Sequence, residues 1–243
     1  MTKLRILCLH GLFQNEIVFK RSTIALQQSV ENVADLVHIT APHPIQPKSF
    51  STVQERTREE ETKLTKEKQL FGWWYPQRYK PLLDNGTCVG TRETLDYLKR
   101  VMAEKGPFDG VLGFSQGACL AACLAGLLET KATIPGVLDT PIAHPPLKMA
   151  IIVAGFFPKQ QEAFKDLFEQ LPHKLKTPSL HIIGTVDHIV LPEDMEKLAS
   201  SFDSPAFFRH DGTHFVPTST VAKRAFAKFV GPFSNASVED NVQ

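Results

Sequence analysis

Apolar residues fall into two rhythms along this chain. Short apolar runs recur, and between them apolar positions return every three or four residues. The first rhythm predicts buried strands, the second amphipathic helices. Residues 4–9 read as a first strand, 35–40 as a second and 108–113 as a third. Residues 148–155, 179–184 and 206–210 supply three more. A helix is predicted over 15–30, where Val18, Phe19, Ile24, Ala25, Leu26 and Val30 share an apolar face. Further helices are predicted over 89–105, 118–128, 161–171, 193–202 and 219–230. The run Met149-Ala150-Ile151-Ile152-Val153 is apolar throughout, as a central parallel strand should be. Strands alternating with helices predict an α/β fold: a mostly parallel sheet with helices on both faces.

The rhythm breaks in three places. Residues 130–146 are a loop rich in proline. After the second strand, Pro42, Pro44 and Pro47 rule out helix or central strand and open an insertion over about 43–90. Within it, residues 54–68 are a charged run, expected to be a solvated helix or mobile segment. Phe71-Gly72-Trp73-Trp74-Tyr75-Pro76 then places both tryptophans side by side. Neighbours in an extended segment face opposite ways, so one can pack while the other lines a cleft. Plain anchoring of the insertion in the core is the equal alternative. Past Gly231-Pro232, residues 233–243 look frayed. The whole, 1–243, reads as one domain.

Composition narrows the function. The chain has 243 residues, 42% of them hydrophobic and 22% charged, with a net charge of +1. No basic block interleaves with aromatics, so neither nucleic acid nor an anionic membrane surface is indicated as a partner. No apolar run is long enough to span a membrane, and strand one starts too early for a signal peptide. Cys8, Cys119 and Cys123 fall in strand and helix patterns, where free buried thiols are the norm; Cys88 is the fourth. A reducing compartment, the cytoplasm or also the nucleus, fits that usage.

The chemistry concentrates at Gly113-Phe114-Ser115-Gln116-Gly117, between the third strand and a helix. A serine on such a turn projects alone, and the helix's first N–H groups face the reacting atom. The bland alternatives are an ordinary loop or a phosphate-binding turn. Two further strand ends carry suitable partners: Asp187 after residues 179–184, and His214 after 206–210. Their order, Ser then Asp then His, is that of α/β-hydrolases. His214 would be the base toward Ser115, and Asp187 would orient its ring. The amides of Leu12 and Gln116 would hold an oxyanion. His10, beside Gly11, is expected to be structural. Asp194, Asp211, His188 and His210 are rivals placed less well. His210-x-x-x-His214 has metal-ligand spacing but lacks the glutamate of that zinc motif, so neither metal nor cofactor is expected. Trp73, Trp74, Phe156 and Phe215 are the candidate walls of an apolar acyl site.

Taken together, Leu7–Gly11, Gly106–Gly110, Gly113–Ala118, Gly184-Thr185-x-Asp187 and His214–Pro217 resemble the FSH family of serine hydrolases over nearly the whole chain. Gly72-Trp73-Trp74 resembles its animal members. The resemblance implies an α/β-hydrolase fold without a large separate cap, acting on small-molecule carboxylic esters or thioesters, with fairly long acyl chains. It carries the triad onto Ser115, Asp187 and His214. One departure is Gly212-Thr213-His214, where the family often has Gly-Gly-His. A binding or scaffold protein with a vestigial triad, or a hydrolase of small peptides, are the rival readings.

Overall fold

The computed structural model describes residues 2–46 and 68–234. Six strands form one sheet: β1 (Leu4–Leu9), β2 (Ala34–Ile39), β5 (Gly110–Phe114), β6 (Met149–Val153), β7 (Ser179–Gly184) and β8 (Ala206–His210). Their order is β2-β1-β5-β6-β7-β8, and every pairing is parallel. Two short strands, β3 (His43–Pro44) and β4 (Phe71–Gly72), pair antiparallel outside this sheet. That is the kind of peripheral pairing Pro44 allows.

Among the described residues six helices flank the sheet: α1 (Glu16–Ser29), α2 (Thr91–Lys105), α3 (Gln116–Thr130), α4 (Glu162–Glu169), α5 (Pro192–Ala199) and α6 (Thr220–Val230). Asn15 starts α1 by accepting from the Val18 amide at 3.0 Å, and Ser219 starts α6 by accepting from Ala222 at 3.2 Å. Side chains alternate along each strand, so two cores form. Leu7, Leu9, Ala150 and Ile152 face α2, α3 and α4; Ile6, Cys8, Ile151 and Val153 face α1 and α6. Helix α3 is wholly buried from Gln116 to Leu128, which explains its Ala- and Leu-rich composition.

The topology decides where a site can form. The chain runs outward from β1 to β2, then returns to β5 on the other side of β1. Connections after β1 and β5 therefore leave in opposite directions, opening a crevice at the carboxyl ends of the two strands. Leu12 follows β1 and Ser115 follows β5.

The strands over 4–9, 179–184 and 206–210 fall where the sequence places them, and the other strand and helix boundaries differ by three residues at most. The larger differences lie in the insertion. Phe71 donates to the Gln14 carbonyl and accepts from the Phe13 amide, so the insertion returns as a strand beside the β1 loop. The charged run over 54–68 lies outside the described residues save for Lys68, as does the tail beyond Ser234; Gly231–Phe233 form a turn of 3-10 helix.

Several histidines are buried. Burial holds His10 and His38 down to about 4, and His181 down to about 3, from an ordinary 6.5. Between 6.5 and those values the unfolded chain binds protons that the folded chain refuses. Stability present above pH 6.5 is therefore lost as pH falls toward 4. For His10 and His181, which are 0% and 1% exposed, the loss by pH 4 is on the order of 3 kcal/mol each. Urea titration at pH 7 and pH 4.5 should show the drop. His181→Phe should make it smaller, since that ring already packs against Phe202 and Phe207. Equal pH dependence in the variant and the parent protein would refute the assignment to His181.

Candidate active site

Ser115 sits between β5 and α3 with φ 54°, a left-handed backbone on a non-glycine residue. Such a conformation costs about 1–3 kcal/mol and persists only where surroundings enforce it. They do so here by close approach. A Cβ on Gly117 would lie 2.1 Å from the Leu9 carbonyl oxygen, and one on Gly113 would lie 2.2 Å from that of Gly117. The two glycines let α3 start against the ends of β1 and β5, and Ser115 is thrust outward.

The other two strand ends deliver the partners. His214 Nε2 lies 2.9 Å from Ser115 Oγ, and its Nδ1 lies 2.7 Å from Asp187 Oδ2. A carboxylate only accepts, so Nδ1 carries the proton and Nε2 is free to accept from the hydroxyl. Asp187 Oδ1 accepts from the amides of Ile189 and Val190 at 2.8 and 3.0 Å. Its carboxylate is fully sealed from solvent, and the His214 side chain is 12% exposed. Phe114, the residue before the serine, packs its ring 4.9 Å from that of His214. Thr213 adopts no left-handed conformation, so threonine carries no backbone strain beside His214.

Two backbone amides near the serine lack an acceptor among the described residues. In the β1 loop, Gly11 donates to the Gln14 side chain at 2.9 Å and Phe13 to the Phe71 carbonyl at 2.9 Å. Leu12, between them, has no acceptor among the described residues. Neither does Gln116, at the first position of α3, where helix geometry provides none. Leu12, Ser115 and Gln116 border one cavity of about 370 Å³. A serine that can lose its proton and two unpaired amides beside it can together form and hold a tetrahedral oxyanion.

The candidate wall residues divide. Trp74 and Phe156 border the cavity, with Phe157, Ile189 and Val190 completing its apolar surface. Trp73 does not reach it. Its indole N–H donates to the His10 carbonyl at 2.8 Å and the residue is 0% exposed. The tryptophans thus point to opposite sides, Trp73 into the core and Trp74 to the cleft. Phe215 also misses the cavity. It lies 45% exposed against His210, on the outer side of the loop, because Gly212 leaves that space open. His10 is structural: Nδ1 donates to the Gly11 carbonyl at 2.7 Å and Nε2 accepts from Ala41 at 3.0 Å.

One contribution is absent from the sequence reading. The Gln116 side chain is buried and clamps the insertion: its Oε1 accepts from the Trp73 amide at 2.8 Å, and its Nε2 donates to the Trp74 carbonyl at 2.9 Å. The residue next to the serine therefore also fixes the cavity wall. Only the neighbouring Gly-x-Ser-x-Gly marks it in the sequence. Among the described residues no group of three His, Cys, Asp or Glu could hold a metal ion, and no helix is long and apolar enough to cross a membrane.

Known proteins match this chain over nearly its whole length. The curated relatives include Esterase OVCA2 of Bos taurus, 32% identical over 96% of this chain and 97% of that protein. Esterase OVCA2 of Homo sapiens is 33% identical over 95% of this chain and 97% of its own. Among solved structures, Zea mays acyl-protein thioesterase 2 superposes with a TM-score of 0.60 at 18% identity, covering 96% of this chain and 94% of that one. At that identity the likeness speaks for the α/β-hydrolase fold alone. The family model described as serine hydrolase (FSH1) matches residues 1–226. With a match of that length and relatives this similar over their whole lengths, the chain belongs to the FSH1 serine hydrolase family.

Proposed function

We propose that this serine hydrolase cleaves carboxylic esters or thioesters of medium to long acyl chains through an acyl-enzyme on Ser115. The observation that carries the reading is the unbroken line from Ser115 Oγ through His214 to Asp187, ending at a cavity whose walls are mainly apolar. The relatives that bear the name esterase support the same chemistry.

The steps follow from the geometry. Ser115 Oγ attacks the carbonyl carbon as its proton passes to His214 Nε2. The oxyanion lies between the Leu12 and Gln116 amides. Collapse breaks the bond to the alcohol or thiol, which leaves with the proton from His214. Water, deprotonated by the same ring, then attacks the acyl-enzyme and frees the acid and Ser115. Asp187 keeps the imidazole in the required tautomer and stabilises it when charged.

Each methylene buried in the cavity contributes about 0.8 kcal/mol, so kcat/KM should climb about fourfold per carbon until the cavity is full. Nitrophenyl esters from acetyl to decanoyl, with matching thioesters, test this on purified protein. A clear preference for acetyl defeats the acyl-site reading, and the ester-to-thioester ratio identifies the leaving group.

A further inference from the structure

Residues 71–74 of the insertion are bonded both to the β1 loop and to the start of α3. On the loop side, Phe13 donates to the Phe71 carbonyl at 2.9 Å and Phe71 donates to that of Gln14 at 3.0 Å. The Trp73 indole donates to the His10 carbonyl at 2.8 Å. On the α3 side, the Gln116 carboxamide accepts from the Trp73 amide and donates to the Trp74 carbonyl. His10, Trp73 and Gln116 are each at most 3% exposed, so water does not compete for the bonds among them. Gly72 has no room for a side chain. A Cβ there would lie 2.8 Å from Leu12 Cδ1 and 3.2 Å from Gln116 Oε1. The segment is wedged between the two residues whose amides lack an acceptor among the described residues.

The sheet does not reach far enough to do this work. Pairing of β1 with β5 stops at Leu9 and Gly113, short of both Leu12 and Gln116. Beyond that point, the Phe13 N–H and the Gln14 carbonyl both bond to Phe71. The chemistry of residue 116 also fits a clamp. Its partners are one N–H and one carbonyl, and a carboxamide both accepts and donates, whereas a carboxylate only accepts. Two donors stabilise one oxyanion only if both stand about 2.7–3.1 Å from it, so their separation must be held.

We propose that residues 71–74 set the separation of the Leu12 and Gln116 amides, with the Gln116 side chain as the positioning group that transmits it. This rests on the oxyanion reading above and adds part of the insertion to what lowers the barrier. The segment then acts on the transition state, where the negative oxygen exists, more than on the bound ester. Removing one oxyanion donor outright costs about 10²–10³-fold in kcat. A donor displaced and not removed corresponds to a loss of roughly tenfold to a hundredfold.

Gln116→Met keeps the length of the side chain and removes both bonds. Its kcat on a decanoyl nitrophenyl ester should fall roughly tenfold to a hundredfold, with KM changed by less than about threefold. A decyl trifluoromethyl ketone reports the oxyanion directly. Ser115 Oγ adds to its carbonyl carbon, the hydroxyl proton passes to His214, and the ketone oxygen becomes the anion. Its affinity should fall in step with kcat, while the matching decyl ether, which cannot add, binds as before. Thermal melting shows whether the variant folds. If it does not, Gly72→Ala decides in its place, since it presses on Leu12 and Gln116 from the segment side and should lower kcat in the same way. A raised KM with kcat kept, equal losses for ketone and ether, or a fall in kcat without weaker ketone binding overturns the proposal. Unchanged kinetics overturn it too. In each case Ser115-dependent turnover by the natural protein leaves the esterase reading standing, and its absence overturns both.

Discussion

Ser115→Ala is expected to lower ester turnover by roughly 10⁴- to 10⁶-fold while the protein stays folded. The hydroxyl is the group that becomes covalently bonded, and no other described nucleophile is as well placed. Cys88 borders the same cavity, but burial pushes its thiol up to about 11, so it holds almost no thiolate near neutrality. Stability should hardly change, because alanine keeps the Cβ and with it the φ of 54°. Ser115→Gly separates the two effects. It should be equally inactive, yet more stable by about 1 kcal/mol, because glycine adopts that backbone without strain. Burst kinetics and thermal melting on the three proteins check both. Turnover within tenfold of the parent in Ser115→Ala would place the nucleophile elsewhere.

The parts of this site that could be read in the sequence were those set by local rules. β5 and β6 are buried at every position, so their apolar runs needed no partner to be recognised. Ser115 follows directly on β5, Asp187 and His214 lie in the loops after β7 and β8, and a parallel sheet brings its strand ends to one rim. Side chains whose direction depends on distant backbone were not legible. Trp73 turns inward because the His10 carbonyl, 63 positions earlier, waits for its indole. Gln116 meets Trp73 across 43 positions and Gln161 meets Cys88 across 73. A glutamine carries no mark in the sequence of which backbone groups will arrive beside it. Phe215 shows the same limit from the other side. Its composition suggested a wall, but it packs on the far side of the His214 loop.

Asp187→Asn should cost about 10⁴-fold in kcat with little loss of fold, because the change reverses one hydrogen bond and preserves two. The amides of Ile189 and Val190 both donate to Oδ1, so the asparagine carbonyl must stay there. That choice forces the NH₂ group into the place of Oδ2, 2.7 Å from His214 Nδ1. Two donors cannot share that contact. The imidazole responds by moving its proton to Nε2, which then faces Ser115 Oγ as a donor and can no longer take the hydroxyl's proton. The same substitution removes the charge that stabilises the imidazolium. Asp187→Ala lacks the carbonyl as well, so it should add a loss of stability from two stranded amides in the loop that carries Val190. Nitrogen NMR shifts of the His214 ring report the tautomer directly, and thermal melting distinguishes the two variants. If Asp187→Asn keeps the proton on Nδ1, or turns over substrate within tenfold of the parent, the carboxylate is not what orients this histidine.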